Sequence, residues 1–426
     1  METRRNNRLL FLAYYFPPVR SIASVRSWNI AKNLSGIGWD VTLVTPDPSL
    51  RRDVDESIDA PASSRALPIK FLYTGHSWPF LDPEHLRCAD KGIRRYSGRV
   101  ARRLSVLFGI EREAGWNRAA LKACSLLRSE DFDVILVTGS PFGAFGVAEK
   151  IARKFQKPFV LDYRDLYTTN PHENLRRYNA TFRSMRREQR QLSKSAAVTV
   201  VSGSMKESLE KHFGVGGKTY VVTNGYDAGE LNATRAEKFD HFAIVYTGQF
   251  YPPLSLVTPI MALLAKLKAL RGQPIPRWAF HYYGDAKDYV HNEALRFGVA
   301  EQVVVHGHVP RGESLAAVRG AGVAVVIVSV KADSTLEERG IVTGKIFEAI
   351  GLSTPILLIA PTGTDAEVIL TTAGSGKRYE GGDIDGMTDY VLQVMSGVRP
   401  ATRRPEEYEW GNVAKNLDKV LRSVTS

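Results

Sequence analysis

The sequence has few of the features that mark stapled, metal-bound or membrane-spanning proteins. Its 426 residues include only two cysteines, Cys88 and Cys124, which stand far apart and without metal-ligating neighbours. A disulfide framework or a structural zinc site is therefore not expected, and a reducing compartment is favoured. The apolar run near the N-terminus is short and ends at Pro17 and Pro18. We predict a first strand there, not a signal peptide or a membrane span.

Negative charge is scarce in the first half of the chain. The formal net charge is +12, and residues 1–200 hold 33 of the 57 Lys and Arg residues but only 20 of the 45 Asp and Glu residues. This asymmetry favours an acidic partner for the first half, namely a membrane surface, nucleic acid or an anionic substrate. No recognised nucleic-acid module accompanies the charge, so we do not expect nucleic acid as the partner.

Apolar β-rich runs alternate with amphipathic helical segments along the chain. Runs such as DVTLVT, DVILVT and AVTVVS, and later FAIVYT and PILLIA, are typical of buried parallel strands. A polar stretch at residues 228–240 separates two such series and predicts a linker. We predict two doubly wound α/β domains, residues 1–230 and 240–405, and a C-terminal amphipathic helix within 406–426. Ligands are expected at the carboxyl ends of the strands, in a cleft between the domains.

The loop after the first strand lies within YYFPPVRSIASVR. Two prolines end the strand and apolar residues at helical spacing follow, so residues 19–24 lie at a helix N-terminus. Free N–H groups there favour an anion, and Arg20 and Arg26 add positive charge. A plain turn with Ser21 or Ser24 as helix N-cap is the alternative.

Another charged strand end occurs in FVLDYRDLY, where Asp162, Arg164 and Asp165 follow an apolar run. A carboxylate and a guanidinium together hold sugar hydroxyls directionally, so these residues are candidates for substrate binding. A structural Arg–Asp pair is the alternative.

In the second half, the loop in IVTGKIFEAIG leads into a short helix. Lys345 lies on its first turn, where a cation and backbone N–H groups together neutralise a diphosphate. Glu348, one turn later, is suited to accept hydrogen bonds from a ribose diol. A surface Lys–Glu pair at i,i+3 is the alternative.

Residues 91–108 combine apolar and basic side chains at helical spacing. Arg95, Arg99 and Arg102 fall on the face opposite the apolar stripe, which predicts a basic amphipathic helix suited to an anionic bilayer and a lipid-linked acceptor. In the alternative, the stripe packs on the sheet and the arginines are simply solvated.

In their order and spacing, these motifs resemble those of the retaining GT-B glycosyltransferases of family 4, a bacterial group that assembles cell-surface polysaccharides. The similarity runs along nearly the whole chain, through YYFPPVRSIASVR, GIGWDVTLVT, AAVTVVSGS, VVTNGYD, IVYTGQFY, TGKIFEAIGLSTPILLIAP and YEWGNVAKNLDKV. It implies the GT-B fold: two Rossmann-like domains, an interdomain cleft, and a C-terminal helix that crosses back to the first domain.

The resemblance also implies roles for individual positions. The loop before Lys345 matches the contact to the donor diphosphate, Glu348 matches the ribose-binding carboxylate, and the loop at Gly248 lies against the same diphosphate. The implied donor-binding residues are Gly248, Gln249, Phe250, Thr343, Gly344, Lys345 and Glu348.

In the first domain, Arg164 and Asp165 match a region that faces the transferred sugar and the acceptor, and they are the implied catalytic residues. The opening loop matches a glycine-rich loop that closes near the donor phosphates, and the domain junction matches a cleft or hinge position. The implied cleft residues are Arg20, Ser21, Ser24 and Asn224.

Three departures from the family pattern stand out. Gly340 occupies the position of the first glutamate in the common E-x7-E pair, and Glu337 and Glu338 are out of register. No basic residue follows the Gly248 loop, so Lys345 is expected to take its place. The opening loop also has serine, isoleucine and alanine where family members keep glycines.

The implied activity is transfer, with retention, of a sugar from a nucleoside diphosphate sugar to a glycan, lipid-linked or small-molecule acceptor. No cofactor and no metal site are expected, and the implied location is cytoplasmic, peripheral on the inner face of the membrane. Two alternatives remain: a GT-B sugar-nucleotide epimerase, and a non-catalytic, membrane-associated subunit of a polysaccharide assembly complex, which Gly340 favours.

Overall fold

The computed structural model divides the chain into two compact units. One comprises Met1–Thr223 together with Trp410–Ser426, and the other comprises Asn224–Glu409. The structure describes residues 7–19, 21–54, 67, 69–77, 114–171, 178–270, 272 and 274–425. Arg20, Arg95, Arg99 and Arg102 lie outside these residues. Among the helices that are described, none has the length and apolar character needed to span a bilayer.

The first unit is built on a seven-stranded parallel sheet of order β3-β2-β1-β4-β5-β6-β7. Its strands are β1 (Asn7–Leu12), β2 (Trp39–Pro46), β3 (Ile69–Thr74), β4 (Val134–Gly139), β5 (Phe159–Tyr163), β6 (Ala197–Val200) and β7 (Thr219–Val221). Its first described helices are α1 (Ile22–Gly36), α2 (Ala114–Cys124), α3 (Gly143–Phe155), α4 (Tyr178–Lys194) and α5 (Gly203–Phe213).

The second unit contains a six-stranded parallel sheet of order β10-β9-β8-β11-β12-β13. Its strands are β8 (Phe242–Thr247), β9 (Trp278–Tyr283), β10 (Val303–Val305), β11 (Val323–Ile327), β12 (Ile356–Ile359) and β13 (Gly376–Tyr379). Its helices are α6 (Ala228–Ala233), α7 (Thr258–Ala269), α8 (Lys287–Arg296), α9 (Arg311–Gly320), α10 (Leu336–Arg339), α11 (Gly344–Gly351), α12 (Asp365–Ala373) and α13 (Ile384–Met395).

The last helix, α14 (Trp410–Ser423), belongs to the first unit although it follows the second in sequence. Strand β1 alternates between two apolar clusters, as a strand covered on both faces must. Leu10 and Leu12 pack with residues of α3, whereas Leu9 and Phe11 lie in the cluster that includes Leu417 of α14. The apolar stripe of α14 therefore packs on one face of the first sheet, in the same cluster as residues of α1.

The segment predicted as a linker, residues 228–240, is structured at its start. Helix α6 is capped by Asp227, whose side chain accepts from two backbone N–H groups. Leu231 is buried in the core of the second unit, and the backbone N–H of Tyr226 donates to Tyr408 at the unit's other end (2.9 Å). Helix α6 buries only one side chain, so its sequence is mostly polar and is typical of a linker.

A buried ion pair fixes the centre of the first unit. Asp162 on β5 accepts from the Arg26 side chain (2.7 and 3.2 Å) and from the hydroxyls of Thr138 and Thr199 (both 2.8 Å). Arg26 also donates to the carbonyls of Val222 and Thr223. Burial alone would raise the pKa of Asp162, but Arg26 and the two hydroxyls outweigh it and lower that pKa.

The Arg26–Asp162 pair corrects two expectations. Arg26 does not add charge to the opening loop, and Asp162 is not available to substrate hydroxyls, since both side chains are almost fully buried. The structural alternative holds for this pair. It ties α1 to three neighbouring strands and to the end of β7, which explains why two charges are placed inside the unit.

Replacing Asp162 with Asn should lower the free energy of unfolding of the first unit by about 3 kcal/mol or more, because Arg26 then keeps a buried charge without a counter-charge. Urea denaturation measures the loss. Asp133→Asn is the matched control, since Asp133 pairs with Arg8 at 2.7 Å where both side chains are partly exposed, and about 1 kcal/mol is expected for it. Equal losses in the two variants would contradict a dominant role for the buried pair.

Candidate functional site

The loops that follow β8, β9 and β11 meet at one edge of the second sheet, because these parallel strands are neighbours in the order β9-β8-β11. In open α/β sheets this carboxyl edge is where ligands bind. Two of the residues on this edge contact each other: Gly248, directly after β8, lies against Lys345 on the first turn of α11.

Helix α11 is held in place by an N-cap residue and by buried apolar side chains. Thr343 is the N-cap, and its hydroxyl accepts from the backbone N–H of Lys345 (3.1 Å). Ile346, Phe347 and Ile350 are buried and hold the helix on the sheet. Since the N-terminus of a helix carries partial positive charge, this end favours an anion.

The ammonium group of Lys345 rests on an aromatic side chain. Its Nζ donates to the hydroxyl of Tyr246 (3.1 Å) and lies 4.3 Å from the centre of that ring. Tyr246 in turn donates to the carbonyl of Gln249 (2.8 Å) and stacks on Phe250. Burial lowers the pKa of Lys345 to about 8, against the opposing influence of the Glu348 carboxylate. Within the described part of the chain, Lys345 forms no ion pair with a carboxylate.

Gly248 is required at its position for two reasons. Its φ of +100° is a backbone conformation that side-chain-bearing residues avoid. A Cβ atom built there would also stand 2.7 Å from Cε of Lys345 and 2.9 Å from Nζ. The side chain of the next residue, Gln249, donates to Asp285 after β9 (2.7 Å). The loop thus leaves room for the lysine and is anchored to the neighbouring strand.

Glu348 does not pair with Lys345. Its Oε1 accepts from Nη1 of Arg311 on α9 (2.5 Å), and Arg311 also donates to both carboxylate oxygens of Glu230 on α6 (2.8 and 3.1 Å). The sequence reasoning missed Arg311, Glu230 and Tyr246. A basic residue at the start of an amphipathic helix, or a tyrosine in an apolar strand, does not by itself indicate a binding site.

Glu338, one of the two glutamates near position 340, takes part in local structure. Glu338 on α10 forms a capping box with Thr335, whose backbone N–H it binds at 3.0 Å, and it pairs with Lys331 at 2.7 Å. Glu338 is buried, and helix α10 ends at Arg339 with Gly340 as its C-cap. Its carboxylate is therefore committed to local structure.

In the first unit, the opening loop forms the start of a helix. The hydroxyl of Ser21 is the N-cap of α1 and accepts from the N–H of Ala23 (3.2 Å). Ser24 is buried, and its own N–H donates to the carbonyl of Ser21. Ser21 thus has the N-cap role of the plain-turn alternative, whereas Ser24 lies within the first turn of α1. Asn224 is the first residue of the second unit.

Arg164 joins loops at the carboxyl edge of the first sheet. Its Nε donates to the carbonyl of Gly139 at the end of β4 (2.6 Å), and a second nitrogen donates to the carbonyl of Ser140. Its guanidinium carbon lies 5.8 Å from the ring centre of Tyr15, after β1. The order of strands reverses direction between β1 and β4, and such a switch point is a preferred ligand position. Asp165 beside it is exposed.

Residues 23–230 match the family model described as Glycosyltransferase Family 4. The match covers just under half of the chain and lies almost wholly in the first unit. None of the curated proteins matches this sequence.

Solved structures similar to this chain extend over nearly its whole length. Anabaena HepE in complex with UDP and glucose is 13% identical with a TM-score of 0.61, covering 98% of this chain and 100% of that chain. Sucrose-phosphate synthase from Thermosynechococcus elongatus is 14% identical with a TM-score of 0.61, covering 99% and 95%. A putative UDP-N-acetylglucosamine 2-epimerase from Listeria monocytogenes is 13% identical with a TM-score of 0.58, covering 98% and 96%.

At these identities the similarity shows the fold. The predicted α/β class, with two doubly wound Rossmann-like domains of the GT-B type, is confirmed.

Replacing Gly248 with Ala should reduce the stability of the second unit by more than the same change at Gly397. Gly397 has a similar φ of +94° but no atom near its missing Cβ, whereas the Gly248 variant also collides with Lys345. We expect a difference of about 1 kcal/mol in the free energy of unfolding, measured by urea denaturation. Adding Lys345→Ala to the Gly248 variant should remove this difference, and a difference that persists would show that Lys345 is not its cause.

Proposed function

We propose that this protein is a glycosyltransferase that transfers a sugar, with retention, from a nucleoside diphosphate sugar to a glycan or lipid-linked acceptor in the cytoplasm. The observation that carries the proposal is Lys345: a cation without a carboxylate partner among the described residues, at the N-terminus of α11 and beneath the Gly248 loop. The family match of residues 23–230 and the similar structures that contain UDP and UDP-glucose support it.

In this proposal the donor diphosphate lies at the start of α11. Lys345 and the backbone at Thr343, Gly344 and Gly248 provide the positive charge and the N–H donors. The same groups stabilise the diphosphate as it leaves, so the reaction needs no metal for that purpose. Glu348 uses one oxygen for Arg311 and has the other available for the ribose hydroxyls.

We assign the acceptor side to the first unit, with Arg164 and Asp165 as the groups that contact the transferred sugar and the acceptor. Arg164 is held by two carbonyls, so its position is fixed while its charge is not neutralised by them. We name no protein nucleophile. For retention we propose attack on the same face of the sugar as the leaving phosphate, which accepts the proton of the acceptor hydroxyl.

A nucleotide panel tests the proposal. In isothermal titration with UDP, GDP, TDP and ADP, at least one nucleotide should bind, with affinity unchanged by a chelator. Lys345→Ala should weaken that binding by about 10- to 100-fold, the effect of losing a charge-assisted hydrogen bond. Lys377→Ala is the control, since Lys377 is an exposed cation on β13 whose ammonium group contacts Gln393 and the ring of Tyr390. Binding of no nucleotide, or equal affinity in the two variants, would overturn the assignment.

The lowered pKa of Lys345 predicts how the affinity depends on pH. With a pKa of about 8 in the free protein, Lys345 is charged below pH 7 and loses its proton above pH 8. A bound diphosphate favours the charged form, so affinity should fall by up to about tenfold per pH unit above 8, with proton uptake on binding. Titration in buffers of different ionisation enthalpy detects that uptake. Lys345→Arg should keep binding but remove the pH dependence, because arginine stays charged.

The epimerase alternative is favoured by one observation, the similarity over 98% of the chain to the putative 2-epimerase. Incubation of the protein with a donor sugar alone separates the two activities. An epimerase converts the donor without an acceptor, whereas a transferase forms product only when an acceptor is added. Nucleotide binding with neither conversion would indicate the non-catalytic subunit.

A further inference from the structure

The most distinctive polar arrangement beside α11 is a three-residue bridge centred on Arg311. Its guanidinium is about one-third exposed and contacts two carboxylates on two other helices. Nε and Nη2 bind the two oxygens of Glu230 on α6, and Nη1 binds one oxygen of Glu348 on α11. Helices α6, α9 and α11 are thus joined through one side chain.

The geometry of the bridge leaves one oxygen of Glu348 unused by Arg311. Paired contact with Glu230 fixes the plane of the guanidinium, because a planar fork and a carboxylate match in only one orientation. The remaining nitrogen then reaches Oε1 of Glu348 alone. Burial opposes the charge on Arg311, but Glu348 and Glu230 outweigh it and raise the pKa of the guanidinium. Arg311 therefore remains a cation.

Spacing on α11 gives this bridge a second consequence. Lys345 and Glu348 are three residues apart on one helix, a spacing at which opposite charges ordinarily pair. In the structure they turn to different partners, Lys345 to Tyr246 and Glu348 to Arg311. Without Arg311, the carboxylate of Glu348 has the ammonium of Lys345 as its nearest cation along the helix. Pairing between them would neutralise both ligand-binding groups.

We propose that Arg311 is a positioning residue of the nucleotide site, which directs Glu348 to the ribose hydroxyls and keeps it from pairing with Lys345. The ribose part of this inference rests on the proposed function. Arg311 itself contacts no ligand in this proposal; it acts through Glu348. Arg311 on α9 then sets the selectivity for ribonucleotides over 2′-deoxyribonucleotides, although the residue that binds the ribose, Glu348, lies on α11.

Two readouts in the full chain test this inference. The first is the affinity ratio between UDP and 2′-deoxy-UDP, or the same pair for the base that the panel selects. The wild-type protein should favour the ribonucleotide by about tenfold or more, the effect of a hydrogen bond to a charged group. In Arg311→Gln the ratio should fall to within about twofold. An unchanged ratio in a folded variant would overturn the ribose role.

The second readout needs no nucleotide. The pKa of Lys345, followed by NMR of its ε-carbon, should rise in Arg311→Gln because Glu348 is released toward the ammonium group. A pKa that stays the same would overturn the positioning role, whether or not UDP binds. If the wild-type protein binds no nucleotide, the proposed function fails while this readout still decides the inference.

Arg319→Gln is the matched control for both readouts. Arg319 lies on the same helix as Arg311 and also reaches α6, where its guanidinium donates to the carbonyl of Leu231 (2.5 Å), but it does not contact Glu348. It should keep the nucleotide ratio and the pKa of Lys345. Equal changes in the two variants would show that the contact to α6, and not the orientation of Glu348, is responsible.

Discussion

The charge of Lys345 depends on whether a neighbouring carboxylate is available to form an ion pair with it. Glu348 is bound by Arg311, Asp285 accepts from Gln249, and Glu338 is bound by Lys331. These three acidic groups have partners of their own, and among the described residues the ammonium group of Lys345 donates to an aromatic hydroxyl. An unpaired cation costs free energy in the unliganded protein, and in the proposed function the donor diphosphate offsets that cost. The surrounding pairs are thus as much a part of the site as the lysine.

In the first unit, several charged side chains form ion pairs with one another or hydrogen bonds with hydroxyl groups. Arg26 and Asp162 neutralise each other inside the sheet, and Arg51 pairs with Asp53. Buried Glu188 accepts from Thr168 and Tyr163, and burial raises its pKa to about 7. These groups hold loops and strands in place. Arg164 differs from them because, among the described residues, its side chain donates hydrogen bonds to two uncharged backbone carbonyls.

The sequence predicts features that depend on residues close together in the chain, and it does not predict contacts between residues far apart in the chain. Alternating apolar runs report burial along a strand, so they predict the two parallel sheets. The local sequence around Lys345 predicts its helix and its place on the first turn. Arg26 and its partner Asp162 are 136 residues apart in the sequence, and Arg311 and its partner Glu230 are 81 residues apart. No local pattern encodes such pairs, which is why a structural arginine at position 26 resembles a ligand-binding one.

The position of α14 has a consequence for synthesis of the chain. Its apolar stripe closes the cluster that contains Leu9 and Phe11 of the first strand, yet it is made after the whole second unit. On the ribosome, the second unit therefore has its complete sequence before the first unit can close its core. Until α14 emerges, the part of the first sheet that it covers remains exposed, although α1 already packs in the same cluster. The second unit is thus an insertion in a chain whose first-made half still lacks one helix of its core.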